Sequence, residues 1–143
     1  MKQVVRCFLL NKGEILLVKH NKDAKWTLPW WHVENGETIH EAIEREIKEE
    51  FKLKIKLTNG NKYLNYSNIT DLPKPISIYS ISYNSLKHWD VTNIEYIFVA
   101  KVISWKLISQ KEEIYDYKWF TKEEIINNTS DIYPQILDLL ELL

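Results

Sequence analysis

One cysteine, Cys7, in 143 residues excludes an intrachain disulfide and makes a reducing compartment the simpler setting. It stands in an alternating apolar run, where a buried, inert thiol is expected rather than a nucleophile. Charge of one sign is not in surplus either. Nineteen basic side chains face twenty acidic ones, for a formal net charge of −1. Proteins that grip a nucleic-acid polymer carry a basic excess, so that class is set aside, while a small phosphorylated ligand held through metal ions is not. No apolar stretch approaches the ~20 residues of a membrane span. Met1 leads almost directly into the first apolar run, so no signal-peptide core is expected and the expected location is cytoplasmic. Internal repeats, low-complexity tracts and linkers are missing as well.

What is present, 45% hydrophobic and 27% charged residues, is ordinary for a globular domain, and residues 1–143 are expected to form a single one. Val4 to Asn11 and Glu14 to His20 read as strands, with a hairpin turn at Asn11, Lys12 and Gly13. Leu53 to Leu57 alternates like a strand. Asn59 and Gly60 suggest a turn, and Lys62 to Ile69 is a candidate strand. Asp71 to Pro75 reads as a loop. Ile76 to Asn84, Ile94 to Ser104 and Tyr115 to Phe120 are β-rich. Two segments open with a Thr followed three residues later by Glu, a capping-box signal for helices. One runs from Thr38 to Phe51, with Ile39, Ala42, Ile43 and Ile47 at helical spacing, and the other begins at Thr121. Asp131 to Leu143 reads as a last amphipathic helix, with Pro134 tolerated only near its first turn. The fold class expected is an α+β sandwich.

The helix from Thr38 carries the main chemical signal. Glu46, Glu49 and Glu50 stand at i, i+3 and i+4, which puts their carboxylates on one face. They also lie in the last turns, where the helix dipole disfavours each further negative charge by ~0.3–1 kcal/mol. Local physics opposes this arrangement unless something positive sits beside it, and hard oxygen ligands suit Mg²⁺ or Mn²⁺. The plainer alternative is a solvated helix laced by Glu41–Arg45 and Glu44–Lys48 pairs.

With its flanks the segment reads LPWWHVENGETIHEAIEREIKEEFKL. This resembles the Nudix hydrolase signature G-x5-E-x7-R-E-U-x-E-E-x-G-U, where U is a bulky aliphatic residue. Arg45 and Glu46 fall on the R-E pair, Ile47 on U, Glu49 and Glu50 on the E-E pair, Leu53 on the last U and Glu37 on the isolated glutamate. The N-terminal hairpin, the IEYIFVA strand and the DYKWFTKEEI tail extend the resemblance over nearly the whole chain, toward MutT-like and ADP-ribose-hydrolysing members. It implies an α/β/α sandwich around a mixed sheet. The activity implied is metal-dependent hydrolysis of a nucleoside diphosphate linked to a group X. Glu46, Glu49, Glu50 and the backbone carbonyl of Trp31 would then hold Mg²⁺ or Mn²⁺.

The resemblance further implies that Arg45 orients the carboxylates, through Glu37 or in a pair with Glu41. Glu49 or Glu50 would act as base, with Glu113 a further acidic ligand or base and Glu112 its rival. Glu95 is another downstream acid, on a strand position expected to face solvent. The partners implied are a nucleotide or nucleotide-sugar substrate and a second copy in a homodimer, with no nucleic-acid polymer and no membrane. An alternative function is a catalytically impaired Nudix-fold domain that binds a nucleotide or regulates. Another is an ordinary interaction domain with a salt-bridged helix.

Two departures stand out. Trp30 and Trp31 replace the usual Gly-Gly, and Lys52 replaces the last glycine. Lys52 would occupy a left-handed helix end, at a cost of roughly 1 kcal/mol or more, partly offset by a cation at the negative end of the dipole. For the tryptophans three readings compete: packing into the core, stacking on a base or ribose in a substrate site shared with Glu37, or blocking that site. The remaining Trp26, Trp89, Trp105 and Trp119, with Tyr79, Tyr83 and Tyr96, are expected in the core or on the sheet. His32 and His40 are expected at the surface, His32 positioning the turn, and Lys19 is expected in solvent or against a phosphate.

Overall fold

A computed structural model describes residues 1–58, 64–84, 90–104 and 114–143. Strand β1 (Lys2–Asn11) turns into β2 (Glu14–Lys19) through Lys12 and Gly13. Their φ angles of 51° and 80° are those of a primed two-residue hairpin. A short strand, β3 (Trp30–His32), precedes the helix α1 (Ile39–Phe51). There follow β4 (Lys54–Leu57), β5 (Ser77–Asn84), β6 (Asp90–Ser104) and β7 (Asp116–Thr121). The chain ends in α2 (Lys122–Asn127), a 3₁₀ turn (Thr129–Asp131) and α3 (Pro134–Leu140).

Among the described residues the strands form one seven-stranded sheet in the order β4-β6-β1-β2-β7, with β3 paired to β1 and β5 to β6. β1 and β6 run parallel and the other pairs antiparallel, so the sheet is mixed. Period-two alternation divides the apolar residues between two cores. Val5, Cys7 and Leu9 of β1, Leu16 and Val18 of β2, and Phe98 and Ala100 of β6 pack with Ala42, Ile43, Ile47 and Phe51 of α1. The intervening Phe8, Ile15, Leu17, Ile97 and Val99 pack with Ile125 of α2 and Ile136, Leu139 and Leu140 of α3. Helices therefore cover both faces of the sheet, the expected α/β/α sandwich. Burying Ile43, Ile47 and Phe51 stabilises the seat of α1 by about 1.5–3 kcal/mol each.

Both capping boxes form: the Thr38 and Thr121 hydroxyls accept from the Glu41 and Glu124 amides, whose side chains return to the threonine amides. Cys7 is buried, and burial pushes its thiol far up, away from reactivity. Among the described residues no helix is long and apolar enough to cross a membrane.

Three expectations need correction. Over 64–69 there is no extended strand, only an isolated Tyr66–Ile69 bridge. Leu64, Tyr66 and Ile69 are all exposed there, so no face is available to bury against a partner. The last helix starts at Pro134 rather than Asp131. The Trp26 amide donates to the Asp131 carbonyl, and the Tyr133 amide donates to the Trp26 carbonyl, so that Asp131 closes a 3₁₀ turn and Ile132 and Tyr133 run extended, as a residue before proline prefers. The third is β3, a strand that the unpatterned Trp30–Trp31–His32 did not announce. Asn59, Gly60, Trp89 and Trp105 lie outside the described residues.

Candidate active site

The acidic cluster is placed by the two ends of α1. Thr38 fixes where the helix starts, and Lys52 ends it in a left-handed conformation at φ 56° and ψ 31°, its amide donating to the Lys48 carbonyl. Between these stops Glu46 and Glu50 are buried, 7% and 4% exposed, while the Glu49 side chain is 54% exposed. The cluster does not simply point into water.

Arg45 ties this face together. Its Nε and Nη2 donate to the two oxygens of Glu37 at 2.7 and 3.0 Å. Its Nη1 donates to Glu46 at 2.7 Å and to Glu49 at 3.4 Å, and Nη2 lies 3.7 Å from Glu34. One guanidinium thus faces the carboxylates of Glu34, Glu37, Glu46 and Glu49. The hydrogen bonds to Glu37 hold Arg45 firmly charged, and Arg45 in turn holds the Glu37 carboxyl below its usual range. Glu37 reaches Arg45 from the turn Glu34–Glu37, where Gly36 supplies the positive φ of 80°. The plainer Glu41–Arg45 and Glu44–Lys48 pairs do not form among the described residues; Glu41 is spent on the helix cap.

The tryptophan pair is split by the pleat of β3, whose adjacent side chains leave on opposite faces. Trp31, 7% exposed, enters the core on the α1 side. Its ring meets Phe51 edge-on at 6.3 Å, and its indole Nε1–H donates to Oε2 of Glu50. Of the three readings of the pair, the Trp31 side chain follows the first, packing into the core, rather than lining a substrate site. Trp30 faces a cleft of about 730 Å³ lined also by Arg6, His20, Tyr83, Asn93 and Glu95. His20 and His32 stand edge-on to it at 5.5 and 5.4 Å. A second cleft, of about 920 Å³, runs beside Glu49 and Arg45 and is flanked by Lys48, Lys52 and Lys54.

Glu95 does not face solvent. It is 1% exposed and takes a two-point ion pair from Arg6, at 2.7 Å from Nε and 3.2 Å from Nη2. The hydroxyls of Tyr79 and Tyr83 donate to it as well, at 2.7 and 3.4 Å. Burial pushes the Glu95 carboxyl up, but Arg6 and the two hydroxyls outweigh it and hold it below the usual range. A signal for this was present: Glu95 is in phase with Ile97 and Val99 on β6 and so belongs to a covered face.

The other candidates are dispersed. His32 is exposed beside Trp30. His40 meets the Pro73 carbonyl at 2.7 Å, and the Lys19 ammonium lies 5.0 Å from the centre of the Trp26 ring. Glu112 and Glu113 lie outside the described residues.

Among the described residues no three His, Cys, Asp or Glu side chains converge tightly enough to hold a metal ion. The donor chemistry nevertheless fits a hard divalent cation. Carboxylate oxygens gather at the negative end of a helix, and one guanidinium is shared among four of them.

The NUDIX domain family model matches residues 1–140. The Nudix hydrolase lin0387 of Listeria innocua serovar 6a is 27% identical over 137 residues, which cover 90% of this chain and 69% of that protein. The nucleoside triphosphatase NudI of Escherichia coli O139:H28 is 28% identical over 131 residues, covering 88% of this chain and 86% of its own. Among solved structures, a hydrolase of the NUDIX family from Clostridium perfringens is 28% identical with a TM-score of 0.76, covering 96% of this chain and 91% of that one. A family match over nearly the whole chain, the shared sandwich, and the Arg45-centred acidic helix agree: the protein belongs to the NUDIX family and is a Nudix hydrolase.

Proposed function

We propose that this hydrolase cleaves the diphosphate linkage of a nucleoside diphosphate-X, an ADP-ribose-like nucleotide or a nucleoside triphosphate, in a reaction dependent on a divalent metal. The observation that carries this reading is the surplus of carboxylate over guanidinium around Arg45. Glu46, Glu49 and Glu50, with the carbonyl of Trp31, would hold Mg²⁺ or Mn²⁺. When bound, the ion supplies neutralising charge at the phosphate oxygens and makes water more acidic.

The chain's own residues account for the rest. Arg45 orients Glu46 and Glu49 and is itself oriented by Glu37. Lys48, Lys52 and Lys54 supply cations for the diphosphate along the cleft at Glu49. Glu49 takes a proton from water: it is exposed, whereas Glu50 already accepts the indole hydrogen of Trp31. The water oxygen bonds to one phosphorus, the bridging P–O bond breaks, and its oxygen leaves with the second phosphate group. Trp30, which lines the cleft beside Arg6, would stack on a base, a contact worth ~1–3 kcal/mol. Glu113 remains the candidate for a further acidic ligand or base. NudI, named as a nucleoside triphosphatase, supports the triphosphate arm. The single buried thiol supports a reducing, cytoplasmic setting. The whole chain is proposed as one domain that pairs as a homodimer.

A second reading, a nucleotide-binding or regulatory domain of reduced activity, draws on the carboxylates being held by Arg45 and Trp31 rather than converging. The test is release of phosphate, pyrophosphate or nucleoside monophosphate from a panel of triphosphates and nucleotide sugars with Mg²⁺ or Mn²⁺. Turnover that a chelator abolishes is expected. Nucleotide binding without turnover on any substrate would replace the first reading with the second.

A further inference from the structure

We infer that Trp31 is a positioning residue for the acidic centre: its indole N–H holds the Glu50 carboxylate in place for a divalent cation. The inference rests on the metal-dependent reading above but concerns a residue the family pattern does not provide. Glycine, usual at this position, has no side chain with which to reach Glu50.

Four features carry it. First, Glu50 is 4% exposed, and a carboxylate that deep needs hydrogen-bond donors in place of water. Second, the indole nitrogen donates and cannot accept, so it orients a carboxylate oxygen without competing as a ligand. Third, the ring is itself fixed. Its backbone lies opposite Val5 in the β1–β3 pairing, its face is packed in the α1 core, and Phe51 meets it edge-on at 6.3 Å.

Fourth, the donor is neutral. Glu46 is held by the Arg45 guanidinium at 2.7 Å, which cancels part of its charge. Trp31 orients the Glu50 carboxylate without itself bringing a positive charge to it. Donors of this kind behind a ligand are worth 10–100-fold in metal affinity in other metal sites.

The test uses the whole chain and Mn²⁺ alone, without substrate, followed by calorimetry or water-proton relaxation. Trp31→Phe keeps an aromatic ring in the core and removes the donor. Its Mn²⁺ dissociation constant is expected to rise about 10–100-fold, with the thermal transition still cooperative. In a Glu50→Gln background the same substitution should change Mn²⁺ affinity by less than about twofold, because the group it acts through is gone. Equal affinity in Trp31→Phe and wild type, or an undiminished effect in the Glu50→Gln background, overturns the inference.

A measurement on an intact Trp31 guards against a variant that does not fold. The Trp31 indole N–H, observed by ¹⁵N–¹H NMR, should be protected from exchange in the wild type and lose protection in Glu50→Leu; unchanged protection also overturns it. Wild-type protein that neither binds Mn²⁺ nor hydrolyses any nucleotide overturns this inference together with the proposed function. Wild-type protein that does both, alongside a Trp31→Phe variant that matches it, overturns this inference alone.

Discussion

Arg6 and Arg45 keep opposite company. Arg6 is 12% exposed and meets one carboxylate, Glu95, whose oxygens also accept from Tyr79 and Tyr83. Arg45 is 27% exposed and meets four carboxylates, from Glu34, Glu37, Glu46 and Glu49. The first is a closed account, one charge for one charge with buried hydrogen bonds completing it. The second shares one guanidinium among four carboxylates on the face where the helix dipole is already negative. An arginine can therefore be read as structural or functional by counting the carboxylates it has to serve.

That contrast can be broken from either side. The largest effect is expected for Glu49→Gln: a fall of about 10²–10⁴ in kcat, in steady-state assays at saturating metal, with no loss of thermal stability. Removing a like charge from the crowded turns should instead relieve a few tenths of a kcal/mol. Arg6→Met should do the reverse. It leaves Glu95 buried without its partner, a loss of about 3–5 kcal/mol by denaturant titration.

Next comes the cation itself. Mg²⁺ at about a hundred times its dissociation constant should stabilise the wild type by ~2.7 kcal/mol, read as a rise in the unfolding midpoint. The same rise should persist in Arg6→Met and vanish in a Glu46→Gln, Glu50→Gln double variant. A midpoint indifferent to Mg²⁺ in the wild type would mean that Arg45 suffices for its carboxylates and that the contrast is one of exposure only.

The smallest effect is in acid. The Glu95 carboxyl is held below its unfolded value of about 4.3. Its contribution to stability is therefore complete above that pH and lost as pH falls through the lower, folded value. In Arg6→Met only burial and the two hydroxyls would act on Glu95. Its folded pKa should then rise relative to the wild type, and the stability that this group loses as pH falls should shrink. Urea midpoints measured from pH 6 downward in both proteins distinguish the two slopes.

Local patterns carried much of this into view from sequence. The hairpin at Lys12–Gly13, both capping boxes, the apolar stripe of α1 and the left-handed end at Lys52 all depend on residues within a few positions of one another. So does the grouping of Arg45 with Glu46 and Glu49. What escaped notice depends on distant partners. Arg6 and Glu95 stand 89 positions apart, and neither has a neighbour in sequence that announces the pair. β3 is only three residues long and owes its existence to β1, so Trp30–Trp31–His32 offers no alternation to detect. The link from Trp31 to Glu50 follows from that strand and was equally hidden. The shortened last helix has the same origin, since Trp26 captures the backbone of Asp131 and Tyr133.

The pleat at β3 has a consequence for evolution and engineering alike. Because neighbouring residues on a strand differ by half a period, a slip of β3 by a single residue would trade the two indoles. Trp30 would then be driven under α1, and Trp31 would be delivered to the Arg6 cleft. The slip is opposed by the burial of Trp31 under α1 and its bond to Glu50, and by two backbone bonds that flank the pairing, the Cys7 amide on the Pro29 carbonyl at 3.3 Å and the Val33 amide on the Gln3 carbonyl at 3.0 Å. A deletion or insertion in the loop before Pro29 would thus be felt at two walls of the molecule at once, without touching either tryptophan.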